Sequence, residues 1–149
     1  MGQDIAIRTK VKIKVSGFSE PEDCFLILDR GFCEFCENAR NKSAEIVDSL
    51  AKALHLNLDF LLEPQYYEDP EGVDPNFEKW ADLKSFLAKL RLLMSRFGTH
   101  PNYEQAVTYD REYWRNYFGD TFQQDMNLLA NFLVEAQTQG VEEFTLEVV

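Results

Sequence analysis

Three cysteines and one of the two histidines are the residues of this 149-residue chain that could bind a metal or carry thiol chemistry. Cys33 and Cys36 form a CxxC motif, Cys24 precedes them and His55 follows. A closed zinc site needs four ligands, usually Cys or His, but the spacing here fits no established ligand pattern. CxxC also serves thiol–disulfide exchange, yet the negative charge of Glu34 between the thiols disfavours a thiolate. We therefore predict no metal or other cofactor; if a metal site exists, its ligands are Cys24, Cys33, Cys36 and His55.

Other catalytic chemistry has even less support in the sequence. Neither His55 nor His100 is accompanied by a Ser or Cys signature, and no Gly-rich phosphate-binding loop is present. Pairs of carboxylates are uninformative because acidic residues are abundant throughout the chain. We predict that the protein is not an enzyme. The alternative from this class is a metal- or thiol-dependent enzyme that uses Cys24, Cys33 and Cys36.

Net charge has two possible interpretations, solubility alone or an acidic surface that complements a basic protein partner. The chain has 26 acidic and 15 basic residues, a formal charge of −11. Such a chain repels the phosphates of nucleic acid and complements a basic protein surface, which speeds and selects encounters. No apolar run approaches the roughly 18 residues that a membrane span requires, and the beginning of the sequence lacks a secretory signal pattern. We predict a soluble cytoplasmic protein that binds a basic protein partner, and neither nucleic acid nor membrane.

Two segments could provide the surface that binds this partner. One is an acidic connector at residues 63–76 with adjacent tyrosines and three prolines, and the other is an aromatic-rich stretch at 109–118. Tyr and Trp contribute much of the binding energy at protein interfaces. The alternative is that the connector is merely solvated and that the aromatic rings belong to the core. The candidate residues are Tyr66, Tyr67, Glu68, Asp69, Glu71, Asp74, Tyr113 and Trp114.

One segment resembles a known family. Residues 49–62, SLAKALHLNLDFLL, resemble the tail of repressor-type helix-turn-helix domains, in which an LAKAL helix is followed by a short LDxLL helix. The resemblance covers about a tenth of the chain and implies two short helices and binding to DNA. Upstream, where that family has its recognition helix, this chain has the CxxC and acidic residues instead.

The elements that would position these residues begin and end with a strand. From Ile5 to Val15 apolar residues alternate with Arg8, Lys10, Lys12 and Lys14, which indicates a strand with one apolar and one cationic face. At the other end Phe144, Leu146 and Val148 alternate with Glu143, Thr145 and Glu147. Opposite charges on neighbouring strands stabilise their pairing. We therefore predict that the two terminal strands are neighbours in one sheet.

Helical spacing of apolar residues predicts three main helices. The first extends from Ser43 to about Leu56, with a short continuation after Asn57 that ends at Pro64; the second extends from Phe77 to Phe97; the third begins near Asp120 or Thr121. Trp80 is placed on the buried stripe of the second helix, and Gly98 is expected to end it. Phe25–Leu28 is either a strand or the start of a helix, because periodicity does not separate the two.

These patterns predict one α+β domain over residues 1–149, with two layers in which three main helices pack on a small sheet containing adjacent N- and C-terminal strands. The predicted function is that of a small acidic binding protein that neutralises or regulates a basic partner, like an immunity protein or antitoxin. A structural subunit of a larger assembly is a further alternative. The sequence does not indicate the oligomeric state.

Overall fold

The computed structural model describes residues 5–16, 22–28, 45–66, 79–99 and 122–148. These residues form five β-strands, three α-helices and one 3₁₀ helix. In chain order the elements are β1 (Ile5–Ile13), β2 (Glu22–Leu28), α1 (Glu45–Leu54), the 3₁₀ helix (Asp59–Leu62), β3 (Gln65–Tyr66), β4 (Ala81–Asp82), α2 (Leu83–Thr99), α3 (Phe122–Thr138) and β5 (Glu143–Val148). The predicted α+β class and three main helices are confirmed, and the segment at Phe25 is a strand.

The sheet is centred on the two terminal strands, as predicted. β1 lies between β2 and β5 and is antiparallel to both. The register places Ile7 opposite Leu146 and Thr9 opposite Phe144. Lys10 follows in line with Glu143, and the Lys10 Nζ lies 2.5 Å from Glu143 Oε2. This exposed ion pair confirms the predicted charge pairing at one position.

The charge pairing does not extend along the whole strand. Arg8 lies opposite Thr145, and Glu147 lies opposite Ala6 rather than opposite a cation. The alternation of β1 is also broken at Val11, which the pattern placed on the buried face but which is 54% exposed. The pairing of β1 with β2 shifts register between Arg8 and Ile13, which is the signature of a bulge. Next to it, the Thr9 hydroxyl donates to the Val11 carbonyl at 2.6 Å.

Two very short strands cover the other edge of β5. β3 pairs in parallel with Leu146 and Glu147, and β4 pairs antiparallel with Glu143 and Phe144. Since β1 already occupies one side of β5 over residues 144–148, β3 and β4 lie end to end on the opposite side. Part of the segment predicted to be an exposed connector is therefore sheet edge, and Pro64 within it is buried.

The first helix ends in a Schellman motif formed without glycine. His55 has a positive φ of 54°, its N–H donates to the Lys52 carbonyl at 3.3 Å, and the Leu56 N–H donates to the Ala51 carbonyl at 3.0 Å. The Arg96 guanidinium of α2 then donates to the carbonyls of Leu54 and His55, at 3.0 and 2.7 Å. This cation satisfies carbonyl groups at the negative end of the α1 dipole.

The second helix begins later than its apolar spacing predicted. Residues 79–82 are extended, and α2 starts at Leu83 because the Asp82 carboxylate caps it, accepting the Ser85 N–H at 2.9 Å. Trp80 therefore lies outside the helix, and the prediction that placed it on the helical stripe was wrong. Gly98 does not stop the helix, which continues to Thr99.

The third helix follows its prediction. Phe122, Met126, Leu129, Phe132, Leu133 and Ala136 are buried, and Gly140 after its end has a φ of 84°. Residues at and just after its end bind the segment that follows β1: the Gln139 side-chain oxygen accepts the Lys14 N–H at 3.1 Å, and its NH₂ group donates to the Lys14 carbonyl at 2.5 Å. The Glu135 carboxylate accepts the Ser16 N–H at 2.8 Å.

The helices and the sheet share one apolar core. At its centre Phe86 of α2 makes edge-to-face contacts with Phe60 of the 3₁₀ helix and Phe144 of β5, with ring centroids 5.2 and 4.9 Å apart. Each of the three rings is at most 4% exposed. Among the described residues, no helix combines the length and apolar character needed to cross a membrane.

Candidate partner-binding groove

A shallow, largely open depression of about 610 Å³ is lined by residues next to or within the 3₁₀ helix and the short edge strand β4. Residues from both elements line it: Asp59, Glu63, Lys79, Trp80, Ala81 and Asp82. We call this feature the edge groove. Its lining contains three carboxylates, one ammonium group and one indole ring, so the polar side chains that face it are mainly anionic.

The first wall of the edge groove is the 3₁₀ helix with the residue that follows it. Asn57 precedes this turn and its side-chain oxygen accepts the Asp59 N–H at 2.8 Å, as in an Asx turn, while the N-cap position of the 3₁₀ helix is Leu58, which makes no side-chain cap hydrogen bond. Phe60 and Leu61 anchor the turn in the core, at 4% and 0% exposure. Asp59 and Glu63 face solvent, and Glu63 Oε1 lies 3.6 Å from Lys89 Nζ.

The second wall is the extended segment 79–82. Ala81 is buried and pairs with Phe144 of β5, which fixes the segment on the sheet edge. Trp80 and Asp82, on either side of Ala81, point away from the core; Trp80 is half-buried and Asp82 is exposed. The Asp82 carboxylate is also held by its cap on α2. Each wall therefore combines a short regular element, the 3₁₀ helix or β4, with the residues next to it, Glu63 or Lys79 and Trp80.

Trp80 already interacts with a cation in this structure. The Lys10 Nζ lies 4.9 Å from the centre of the indole ring while it pairs with Glu143 at 2.5 Å. Cations within about 6 Å of an aromatic face are attracted by the quadrupole of the ring, and Trp is the best such ring. The edge groove thus combines carboxylates with an aromatic surface that accepts positive charge.

The carboxylates of the groove do not form a metal site. Within the described part of the chain, no three residues among His, Cys, Asp and Glu are grouped so that they could hold a metal ion. Asp59, Glu63 and Asp82 are instead spread over two walls. This distribution suits several hydrogen bonds to an extended cationic group rather than coordination of one ion.

The predicted site residues relate to the groove only in part. Tyr66 forms β3 with Gln65, on the same sheet edge as β4. After Tyr66, the next residue that the structure describes is Lys79, which lines the groove. The other predicted partner-binding residues lie outside the described residues: Tyr67, Glu68, Asp69, Glu71, Asp74, Tyr113 and Trp114.

Two of the residues considered for metal or thiol chemistry, Cys24 and His55, are described by the structure, and they lie on different elements. Cys24 is in β2, opposite Arg8 of β1, whereas His55 is an exposed residue at the end of α1. Cys33 and Cys36 lie outside the described residues. The segment that resembles a helix-turn-helix tail is α1 followed by the 3₁₀ helix.

Five groove residues were not predicted from the sequence, namely Asp59, Glu63, Lys79, Trp80 and Asp82. One signal was available: Asp82 stands three residues before Ser85 at the start of an apolar helical stripe, which is capping spacing. A helix start at this position would have left Trp80 in the preceding extended segment.

Comparisons with protein-family models, with curated proteins and with solved structures found no match.

Proposed function

We propose that this protein is a small acidic binding protein that recognises a basic protein partner through the edge groove, and thereby neutralises or regulates that partner as an immunity protein or antitoxin does. One observation carries the proposal. Asp59, Glu63 and Asp82 line a single groove together with the half-buried ring of Trp80, on a chain whose net charge is −11.

The chemistry of the groove favours arginine or lysine side chains of the partner. Carboxylates accept short, charge-assisted hydrogen bonds from guanidinium and ammonium groups. An indole ring adds cation–π attraction of roughly 0.5–1 kcal/mol at an exposed site, and the contact of Trp80 with Lys10 is an intramolecular example of it. Lys79 lines the same groove and adds positive charge there, which disfavours a second ammonium nearby.

The surplus of negative charge would act before contact. Complementary charges raise the rate at which two proteins meet, and this effect is screened by salt over a Debye length of about 8 Å at physiological ionic strength. Binding of a basic partner should therefore weaken as salt is raised, mainly because the association rate falls. This salt dependence separates the proposal from binding driven by apolar surface.

The test uses an arginine-rich peptide as a stand-in for the basic partner, with binding measured by fluorescence anisotropy at about 0.05 M and about 0.3 M salt. Asp59→Asn and Glu63→Gln each remove one groove charge. Exposed ion pairs contribute roughly 0.2–1 kcal/mol, so each variant should weaken binding by about 1.4- to 5-fold at low salt.

Glu135→Gln is the matched control. It also removes one negative charge, but from α3, where Glu135 accepts the Ser16 N–H and is not one of the residues that line the groove. Glutamine keeps a side-chain oxygen that can accept this hydrogen bond. If the control weakens binding as much as the groove variants do, net charge alone attracts the peptide and the edge groove is not the site.

A further inference from the structure

We infer that Trp80 and Glu143 form a cation-binding subsite beside the edge groove, that Lys10 of the same chain occupies it, and that an arginine of the partner binds there by displacing Lys10. The inference rests on the proposed function and extends it to Glu143, which is not part of the groove lining. Its basis is the position of one ammonium group, which contacts a carboxylate and an indole ring at the same time.

The pairing of β4 with β5 brings the members of this subsite together. Glu143 of β5 lies opposite Asp82 of β4. Because side chains alternate along an extended segment, Trp80 and Asp82 both project away from the face of the buried Ala81. Two carboxylates directly opposite each other on neighbouring strands repel, so a cation beside Asp82 and Glu143 is favoured.

Lys10 of β1 supplies this cation. Its Nζ lies 2.5 Å from Glu143 Oε2 and 4.9 Å from the centre of the Trp80 ring. These are the two contacts that a cation of the partner would make with the same groups, a charge-assisted hydrogen bond to a carboxylate and attraction to the face of an indole. Lys10 is therefore an internal competitor for a site that adjoins the groove through Trp80.

The Lys10 side chain is open to exchange with a partner cation. The side chains of Lys10 and Glu143 are 57% and 46% exposed, and exposed ion pairs contribute little to stability. A guanidinium group stacks on an aromatic face and binds a carboxylate through two parallel N–H donors, whereas an ammonium group is a compact point charge. An arginine of the partner thus gains more from Trp80 and Glu143 than Lys10 loses when it returns to water.

The experiment measures the dissociation constant of the arginine-rich peptide at about 0.05 M salt for wild type, Lys10→Met and Lys14→Met. Lys10→Met empties the subsite, so the peptide no longer has to displace a lysine. Its affinity should rise by about 3- to 30-fold, the combined contribution of one exposed ion pair and one cation–π contact.

Lys14→Met is the matched control. It removes the same charge from an exposed residue whose backbone, bound to Gln139, is unchanged by the substitution. Its gain in affinity should be smaller, because it reflects net charge alone. A gain from Lys10→Met no larger than that from Lys14→Met overturns the inference and, with wild type binding the peptide, leaves the proposed function standing. If neither wild type nor Lys10→Met binds the peptide, the proposed function itself fails; binding by Lys10→Met alone supports the inference.

The contribution of the indole ring is measured by repeating Lys10→Met in a Trp80→Leu background. The gain should be smaller there by about 2- to 5-fold, because no ring remains to be released; an equal gain in both backgrounds contradicts the proposed subsite. Wild type gives a second measurement that needs no variant to fold. The ring current of Trp80 shifts the NMR signals of the Lys10 ε-CH₂ protons, and this shift should disappear as the peptide binds. Its retention in the saturated complex overturns the inference.

Discussion

Phe86 is the residue through which the groove walls are fixed to the core. It is 0% exposed, and its ring meets Phe60, next to Asp59 of the first wall, and Phe144, which pairs with Ala81 of the second wall. The interplanar angles of 65° and 79° are those of edge-to-face pairs. Phe86→Leu removes both aromatic contacts while keeping an apolar side chain in the core.

The expected cost follows from these two contacts. An edge-to-face pair contributes about 0.5–1.5 kcal/mol beyond the area it buries, so loss of two pairs costs about 1–3 kcal/mol of unfolding free energy. Phe86→Ala would cost more, about 3–5 kcal/mol, because it also leaves a cavity. At roughly 2–4 °C per kcal/mol for a chain of this size, Phe86→Leu should lower the melting temperature by about 2–12 °C.

The assay is chemical denaturation of a double-mutant cycle. Phe86→Leu, Phe144→Leu and the double variant give the coupling energy between the two rings. We expect about 0.5–1.5 kcal/mol for this cycle, and the same for the cycle of Phe86 with Phe60. A cycle of Phe60 with Phe144 is the comparison: both rings touch Phe86, but they form no ring pair with each other among the described contacts.

This reasoning would be refuted if the coupling energy between Phe86 and either neighbouring ring were no larger than the additivity error, about 0.3–0.5 kcal/mol. The two phenyl rings would then stabilise the core only through the area they bury. A large coupling between Phe60 and Phe144, equal to the other two, would also contradict it. Such a result would mean that the whole cluster rearranges when any one ring is lost.

Three further predictions concern single side chains outside this cluster. Asp82→Ala should destabilise the protein by about 1 kcal/mol because it removes the cap that accepts the Ser85 N–H, whereas Asp82→Asn should cost little, since asparagine caps equally well; thermal unfolding measures both. His55→Gly should stabilise the fold by about 0.5–1 kcal/mol, because the strain of a positive φ, about 1–2 kcal/mol for a residue with a side chain, exceeds the added entropy of glycine in the unfolded chain; an unchanged or lower denaturation midpoint contradicts it. The pKa of Glu135 is lowered mainly by the hydrogen bond from the backbone N–H of Ser16 and, to a smaller extent, by the Ser16 hydroxyl. The stabilisation from this carboxylate is therefore present above the ordinary pKa of a glutamate and is lost as the pH falls through the lowered folded-state pKa. Ser16→Ala removes only the hydroxyl, so NMR titration should show a Glu135 pKa that is still lowered, but by less than in the wild type.

The sequence predicted the parts of the fold that periodicity controls. Alternating residues in the terminal strands located β1 and β5 and their adjacency, and opposite charges at Lys10 and Glu143 identified one pair that forms. The apolar stripe of α3 and its glycine end were also visible. These features depend on neighbours a few residues apart, or on two strong patterns that must share a face.

The edge groove depends on contacts that have no short-range pattern. Trp80 continues the helical spacing of α2, yet the cap at Asp82 and the pairing of Ala81 with Phe144 hold it in an extended segment. Thr145 continues the polar alternation of β5, yet Pro64 and Lys79 approach from distant parts of the chain and bury it. In both cases tertiary contacts overrode the local pattern.

The groove is a consequence of how the chain covers the edge of β5. An uncovered edge invites pairing with another chain, and proteins avoid this with short edge strands and charged residues. Here the edge is covered by two strands of two residues each. They come from separate parts of the chain and leave a groove between the 3₁₀ helix and segment 79–82.

Protection of the edge alone would be served by any charge, including lysine. Protection of the edge does not require that the charges beside Trp80 be carboxylates, whereas binding of a basic partner would. Replacing Asp59 and Glu63 together by lysine separates the two roles, because edge protection would persist, with the oligomeric state of the wild type unchanged, while binding of the arginine-rich peptide would be lost.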